Sequence, residues 1–324
     1  MPVRAVLPAG TTALEHGITA IDTDYVRPML DASHLVVEQG RAAFIDAGTN
    51  HSVPLLLDAL ASQGLQVGDV DYVFLTHVHL DHAGGAGLLM QSLPNAKAVL
   101  HPRGAPHMID PGKLIKGSIA VYGEERYRRI YGTLVPIPEE RILVADDGDG
   151  FALAGRPFRI MHTEGHARHH YCLQDPASSG VFTGDSFGIS YREFDTAAGE
   201  FIFPTTTPVH FDPEQAHKAI DRIMSVRPER LYLTHYSVVT GLPRLARDMH
   251  QRIDDFVALA ERHERDDNRT AAMQAGMHEY FRDMLRAHGC TMNDEAIAGM
   301  LQMDVELNTM GLEFWLDHRN DRGS

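Results

Sequence analysis

Phe74-Leu-Thr-His-Val-His-Leu-Asp-His-Ala-Gly-Gly85 sets four potential metal ligands, His77, His79, Asp81 and His82, within six residues directly after an apolar run. Residues 72–75 have the β-branched and aromatic character of a strand, and extended backbone alternates its side chains, so His77 and His79 point one way while Leu80 does not. Once the strand ends, a loop is free to aim Asp81 and His82 at a second position. Gly84 and Gly85 then permit a tight turn into the following helix, where larger residues would crowd the loop. Imidazole and carboxylate suit borderline divalent metals. A lone histidine is usually structural, but four such donors converging on one short segment point to a metal site.

Outward from that segment, period-two runs with turn residues between them predict strands at residues 18–22, 34–37 and 42–46, and helical spacing predicts a helix over 53–62. Pro54 suits the first turn of that helix, and Ser52 or Asn50 is placed to cap it. The second half repeats the scheme, with strands at 141–144, 158–161, 171–174 and 181–183, a helix at 212–226 and a strand at 231–234. Two α/β halves meeting face to face are implied. From Pro243 onward only helical patterns remain, at 243–263, 270–288 and 293–311, punctuated by Gly289 and Asn293. We therefore expect a catalytic domain over 1–242 and a helical C-terminal extension over 243–324.

With 324 residues, 44% hydrophobic and 23% charged, the chain has the composition of a globular protein with a sizeable core. Lys+Arg 29 against Asp+Glu 44 leaves a net charge of −15, which repels a polyanionic backbone and argues against a nucleic-acid partner. The N-terminal segment lacks the apolar stretch of a signal peptide, and no run approaches the roughly 18 apolar residues of a membrane span. A cytoplasmic protein acting on a small-molecule substrate, without membrane association, is the expectation, and a homodimer is left open. Cys172 and Cys290 are too few for a disulfide framework and lie in no metal-binding spacing.

Thr76-His-Val-His-Leu-Asp-His-Ala-Gly-Gly85 resembles the signature of the metallo-β-lactamase fold superfamily. Further motifs of that family follow in order. Thr163-Glu-Gly-His166 resembles the third-histidine motif, Thr183-Gly-Asp185 the segment with a bridging aspartate, and Thr234-His235 the last histidine, while Phe44-Ile-Asp-Ala-Gly48 matches an early aspartate that supports the metal loop. The resemblance spans about residues 18–241. It implies an α/β, four-layer αβ/βα sandwich with the helical extension appended. It also implies two divalent metal ions, zinc first with iron or manganese as alternatives. One ion is held by His77, His79 and His166, the other by Asp81, His82 and His235, and Asp185 lies between them.

The same resemblance implies a dinuclear metal-dependent hydrolase using a metal-bridging hydroxide, with Asp81 as the candidate catalytic proton carrier. Asp46 reads either as an ordinary strand-end aspartate or as a group that orients the metal loop. His169 and His170, neighbours on a segment read as extended, should point to opposite sides, one of them towards the pocket. Tyr191 and Tyr236 read as core tyrosines or as substrate contacts. The basic, tyrosine-rich segment 117–132, with Tyr122, Arg126, Tyr127, Arg128 and Arg129, reads as a solvated helix face or as an anion contact for a thiol carrier.

Departures from the family's branches narrow the substrate. Class B1 β-lactamases carry cysteine where this chain has Asp185. Lactonases of the family have tyrosine three residues after the bridging aspartate, where Gly188 stands here. Flavodiiron proteins replace His79 with an acid. What remains is similar to the glyoxalase-II-like and thioesterase-like branch, so a thioester or ester of a small acyl group is the expected substrate. The alternatives are a lactonase or phosphodiesterase on the same site, a mononuclear iron persulfide dioxygenase, and a non-catalytic ligand-sensing protein.

Overall fold

The computed structural model describes residues 7–319; the first six residues and the last five of the 243–324 segment lie outside them. Among the described residues there are two sheets. The first runs in spatial order β1 (Thr11–Ala13), β2 (Ile18–Asp22), β3 (Ala32–Glu38), β4 (Arg41–Ile45), β5 (Val70–Phe74), β6 (Lys97–Leu100) and β7 (Ile142–Val144). It is antiparallel from β1 to β4 and parallel from β4 to β7. The second holds β8 (Gly150–Leu153), β9 (Arg156–His162), β10 (Tyr171–Asp175), β11 (Gly180–Gly184), β12 (Arg230–Leu233) and β13 (Ser237–Val239), each beside the next.

The central strands are apolar on both faces because both faces are covered. Leu35, Ala42 and Phe44 pack into a core with helix α1 (Val53–Ser62), short α2 (Leu80–Ala83) and α3 (Ala86–Ser92). Their immediate neighbours Val36, Ala43 and Ile45 turn the other way and meet Phe158, Leu173 and Phe182 of the second sheet. A one-residue slip in register would exchange those two sets, so the two cores together fix the pairing of β3 with β4. Helices α4 (Ala105–Ile109), α5 (Gly112–Tyr122) and α6 (Glu124–Tyr131) fill the connection between β6 and β7.

Helix α1 begins where the sequence places it, with Pro54 in its first turn, but Ser52 makes no side-chain cap. Its hydroxyl instead donates to the Thr23 carbonyl at 2.9 Å and accepts from the Thr49 amide at 3.1 Å, so it braces the loop after β4.

Cα packing divides the chain into two compact units: one comprises the residues up to His162, His169–Gly184 and Leu231–Val238, the other Thr163–Arg168, Asp185–Arg230 and everything from Val239. Both sheets belong essentially to the first. The second is built on four helices, α7 (Pro213–Ser225), α8 (Leu242–His263), α9 (Arg269–Ala287) and α10 (Asp294–His318). The side chains of Asp212, Asn268 and Asn293 cap α7, α9 and α10 by accepting from the amides of Gln215, Ala271 and Ala296. Along α9, Met273, Met277, Phe281 and Leu285 recur every four residues and are all buried. Helix α10 runs past Gly311, where the sequence suggests a stop, because that glycine lies against the Thr206 backbone; a Cβ there would fall 1.4 Å from the Thr206 carbonyl oxygen.

Candidate metal centre

The cluster sits at the carboxyl ends of parallel strands, the usual position for sites in such sheets. β5 ends at Phe74, so His77 and His79 lie on irregular extended backbone beyond it, and Asp81 and His82 ride on the single turn of α2. That turn, where a loop was expected, still delivers both side chains to one place. Two glycines hold it in position. The Gly85 amide donates to the Gly48 carbonyl at 2.8 Å, and a Cβ on Gly85 would stand 2.4 Å from the Thr49 carbonyl oxygen. Gly84 and Gly85 both keep ordinary helical dihedrals. It is close backbone approach, not unusual φ, that requires their small size.

Within the first unit, five of the seven sequence-selected ligands converge. One oxygen of Asp81 stands 3.8 Å from His82 Nε2 and 3.6 Å from His235 Nε2. Ligand atoms of these three residues all lie within 4.8 Å of one another. The His77 ring centroid is 4.5 Å from that of His79 and 4.0 Å from that of His82. In the second unit His166 Nε2 lies 3.4 Å from Asp185 Oδ2, and Ser186 between neighbouring loops donates to Thr163 Oγ1 at 3.0 Å. A small cavity of about 10 Å³ opens there, lined by His166 and Asp185 together with Phe211, Ala216, Met249 and Ile253.

Asp46 decides between its two readings. Its carboxylate accepts from His82 Nδ1 at 2.8 Å, from the Thr76 amide at 2.8 Å, from the Thr76 hydroxyl at 2.9 Å and from Thr234 Oγ1 at 3.0 Å. One buried carboxylate thus joins the segments that carry His77, His82 and His235. It holds the His82 ring with Nε2 turned towards Asp81. The His235 ring is fixed likewise, its Nδ1 donating to the Leu30 carbonyl at 2.8 Å. Imidazoles whose far nitrogen is tied to a carboxylate or a carbonyl are the arrangement metal-binding histidines adopt. The donor set therefore fits divalent metal ions.

His169 and His170 do not alternate as extended neighbours would, because residues 168–169 form a turn. Both rings reach the cluster, His170 at 4.8 Å and His169 at 6.1 Å from the His77 ring, and His169 lies 5.5 Å from His79. Gly184 makes room for them: a Cβ at that position would come within 2.6 Å of His170 Nε2. Tyr191 is a core residue whose hydroxyl donates to Asp304 at 3.0 Å. Tyr236 is buried beside the last histidine. On α6 the exposed guanidinium of Arg128 pairs with Glu124, the solvated-face reading, while Tyr127 and Tyr131 turn inward.

Three groups near the cluster escape the sequence reading. The Tyr25 and Tyr131 hydroxyls meet at 2.7 Å, and burial followed by the charge of Asp81 raises Tyr25 well above the ordinary tyrosine range. Asp31 is buried, and desolvation pushes its carboxyl up to about 7 against the opposing pull of His235 and His82. Tyr25 and Tyr131 are separated by 106 residues, so nothing local signals the pair. Asp31 follows Leu30 at a strand start, where an aspartate ordinarily reads as turn punctuation.

Comparison with known proteins settles the family. The model of the Metallo-beta-lactamase superfamily matches residues 28–235, well over half of the chain. The chain belongs to this superfamily. Its fold is accordingly the mixed α/β metallo-β-lactamase fold with two sheets and a C-terminal helical extension. A metallo-beta-lactamase fold-containing protein of Sulfurisphaera tokodaii is 26% identical over 231 residues, covering 69% of this chain and 79% of that protein. The hydroxyacylglutathione hydrolase of Stenotrophomonas maltophilia is 28% identical over 169 residues, covering 52% of this chain and 48% of that enzyme. Among solved structures, an archaeal superfamily protein from Sulfolobus tokodaii superposes with a TM-score of 0.64 at 22% identity, covering 92% of this chain and 98% of that one. Among the described residues, no helix of this superfamily member is long and apolar enough to cross a membrane.

Proposed function

We propose that this chain is a dinuclear metal-dependent hydrolase that cleaves a thioester or ester of a small acyl substrate. His77, His79, Asp81, His82, His166, Asp185 and His235 would be its ligands and zinc the first candidate ion. The observation that carries the reading is the placement of Asp81 between the His82 and His235 rings, each ring locked from behind by Asp46 or by the Leu30 carbonyl. A pair of divalent ions bound there supplies Lewis acidity and a water activated at neutral pH.

The chain's own residues divide the remaining work. Asp81 stands at the edge of the cluster, more exposed than His82, where a carboxylate can take up a proton from the attacked group and return it to the leaving group. Superfamily membership supports hydrolysis, and likeness to a hydroxyacylglutathione hydrolase favours a thioester over the phosphodiester and lactone alternatives. The protein is expected to act without nucleic acid or membrane partners, in the cytoplasm.

Purified protein assayed against acyl-glutathione, acyl-coenzyme A, a lactone and a bis-aryl phosphate tests this directly. Short-chain thioesters should turn over fastest, and treatment with a chelator should abolish that turnover until zinc is restored. Preference for the lactone, or activity indifferent to chelation, would overturn the proposal.

A further inference from the structure

Away from this cluster, helices α7 and α8 each carry a histidine followed four residues later by an aspartate: His217 and Asp221 on the first, His250 and Asp254 on the second. Residues four apart share a helix face, so each pair presents imidazole and carboxylate together. The two pairs interlock across the helices. His217 Nε2 lies 3.2 Å from Asp254 Oδ1, and His250 Nε2 lies 3.3 Å from Asp221 Oδ1. The remaining ring nitrogens, Nδ1 of each, face one another at 2.7 Å.

The rings are 9° from parallel with centroids 5.0 Å apart. Rings lying face to face at that spacing would keep their nitrogens apart. A 2.7 Å nitrogen contact at a 5.0 Å centroid distance means the rings are close to coplanar and meet edge to edge, with the two Nδ1 atoms pointing at each other. Nε2 of each ring lies against a carboxylate on the opposite helix, which turns each Nδ1 towards the other. The 2.7 Å contact is an N–H···N hydrogen bond in which one ring donates to the other, and a divalent cation can take the place of that shared proton.

We propose that His217 and His250 form a separate surface site for a divalent transition-metal ion such as zinc, copper(II) or nickel, bound through the two Nδ1 atoms and oriented by Asp254 and Asp221. Zinc takes nitrogen at about 2.0–2.1 Å, so an ion seated between the two Nδ1 atoms parts them by up to about 1.4 Å, a shift within reach of side-chain torsion in residues that are partly exposed. Water fills the open positions. The ion would staple α7 to α8, and carboxylates behind both rings are the support that ligating histidines characteristically receive.

Wild-type protein and the H217A/H250A variant, dialysed against the same micromolar free zinc, are analysed for metal per chain. The wild type should hold one zinc ion more than the variant, with whatever binds elsewhere common to both; equal contents would overturn the site. D221N/D254N, which leaves the ligands and the side-chain volume in place, should weaken binding of that extra ion by about 10- to 100-fold. Unchanged affinity in that variant would equally refute the proposed geometry, and it keeps the test decisive should the alanine variant fail to fold.

Discussion

Asp46 has a positive φ of 58°, a left-handed conformation that most non-glycine residues avoid. Its four hydrogen bonds explain why the strain is kept: only this backbone aims one carboxylate at His82, Thr76 and Thr234 together. Asparagine tolerates the same conformation, so D46N keeps the backbone while it removes the charge and turns one accepting oxygen into a donor that faces donors. The variant should fold, yet bind metal about 10- to 100-fold more weakly, because the His82 ring loses the anion that orients it. Competition with a coloured chelator measures this, and unaltered metal affinity would reduce Asp46 to a loop brace. The proposed ligands are picked out in the sequence because each stands in a short motif. Its supports are less so: the Leu30 carbonyl has no side chain to advertise it, and Thr234 reads as the last residue of a strand.

The helices of the second unit show which glycines matter and which do not. Gly299 and Gly311 both lie within α10, but the first faces open space and the second meets the Thr206 backbone. G299A should stabilise the protein by about 0.5–1 kcal/mol, since glycine in a helix interior loses more conformational entropy on folding than alanine. G311A should destabilise it by at least the roughly 1–3 kcal/mol typical of overpacking, because the contacted atom is backbone and cannot rotate away. Denaturant midpoints of the two variants should therefore move in opposite directions. Periodicity locates these helices well because each buries a stripe every third or fourth residue. The strands it does not register are those least marked locally: β1 and β13 have three residues each, β6 is four residues long between Pro94 and Pro102, and β8 is half exposed. Pairing with distant partners creates these strands, and the single chain pattern carries no trace of that.

Across the whole molecule, stability depends on what lies between the two sheets. His34 of β3 sits there, buried, with its ring edge-on to Phe182 and Tyr232 at 5.3 Å and 5.8 Å. Desolvation lowers its pKa to about 3 from an ordinary value near 6.5. The unfolded chain thus binds a proton that the folded chain refuses, and stability falls as pH drops from about 6.5 towards 3. The slope is about 1.4 kcal/mol per pH unit for this one residue. H34F, which keeps the ring and discards the titration, should shift acid unfolding to lower pH when followed by circular dichroism. An unchanged acid transition would show that other groups govern it. The composition places this chain among globular proteins, but a histidine in a sheet core looks in sequence like any of its other nineteen.

The backbone bond from the Ala32 amide to the Thr234 carbonyl, 2.8 Å long, joins two points about 200 residues apart in the chain. On a ribosome that distance becomes time. A nascent chain that has already exposed His77 to His82, together with the Leu30 carbonyl and the Asp46 carboxylate, still lacks Thr234 and His235 that bond to them, so the Asp81–His82–His235 set assembles only after residue 235 has been made. Loop closure over such a span costs entropy that only the later packing repays. Any metal these three residues hold is consequently taken up late, and a chain truncated before Thr234 would carry the signature segment without the ability to complete it.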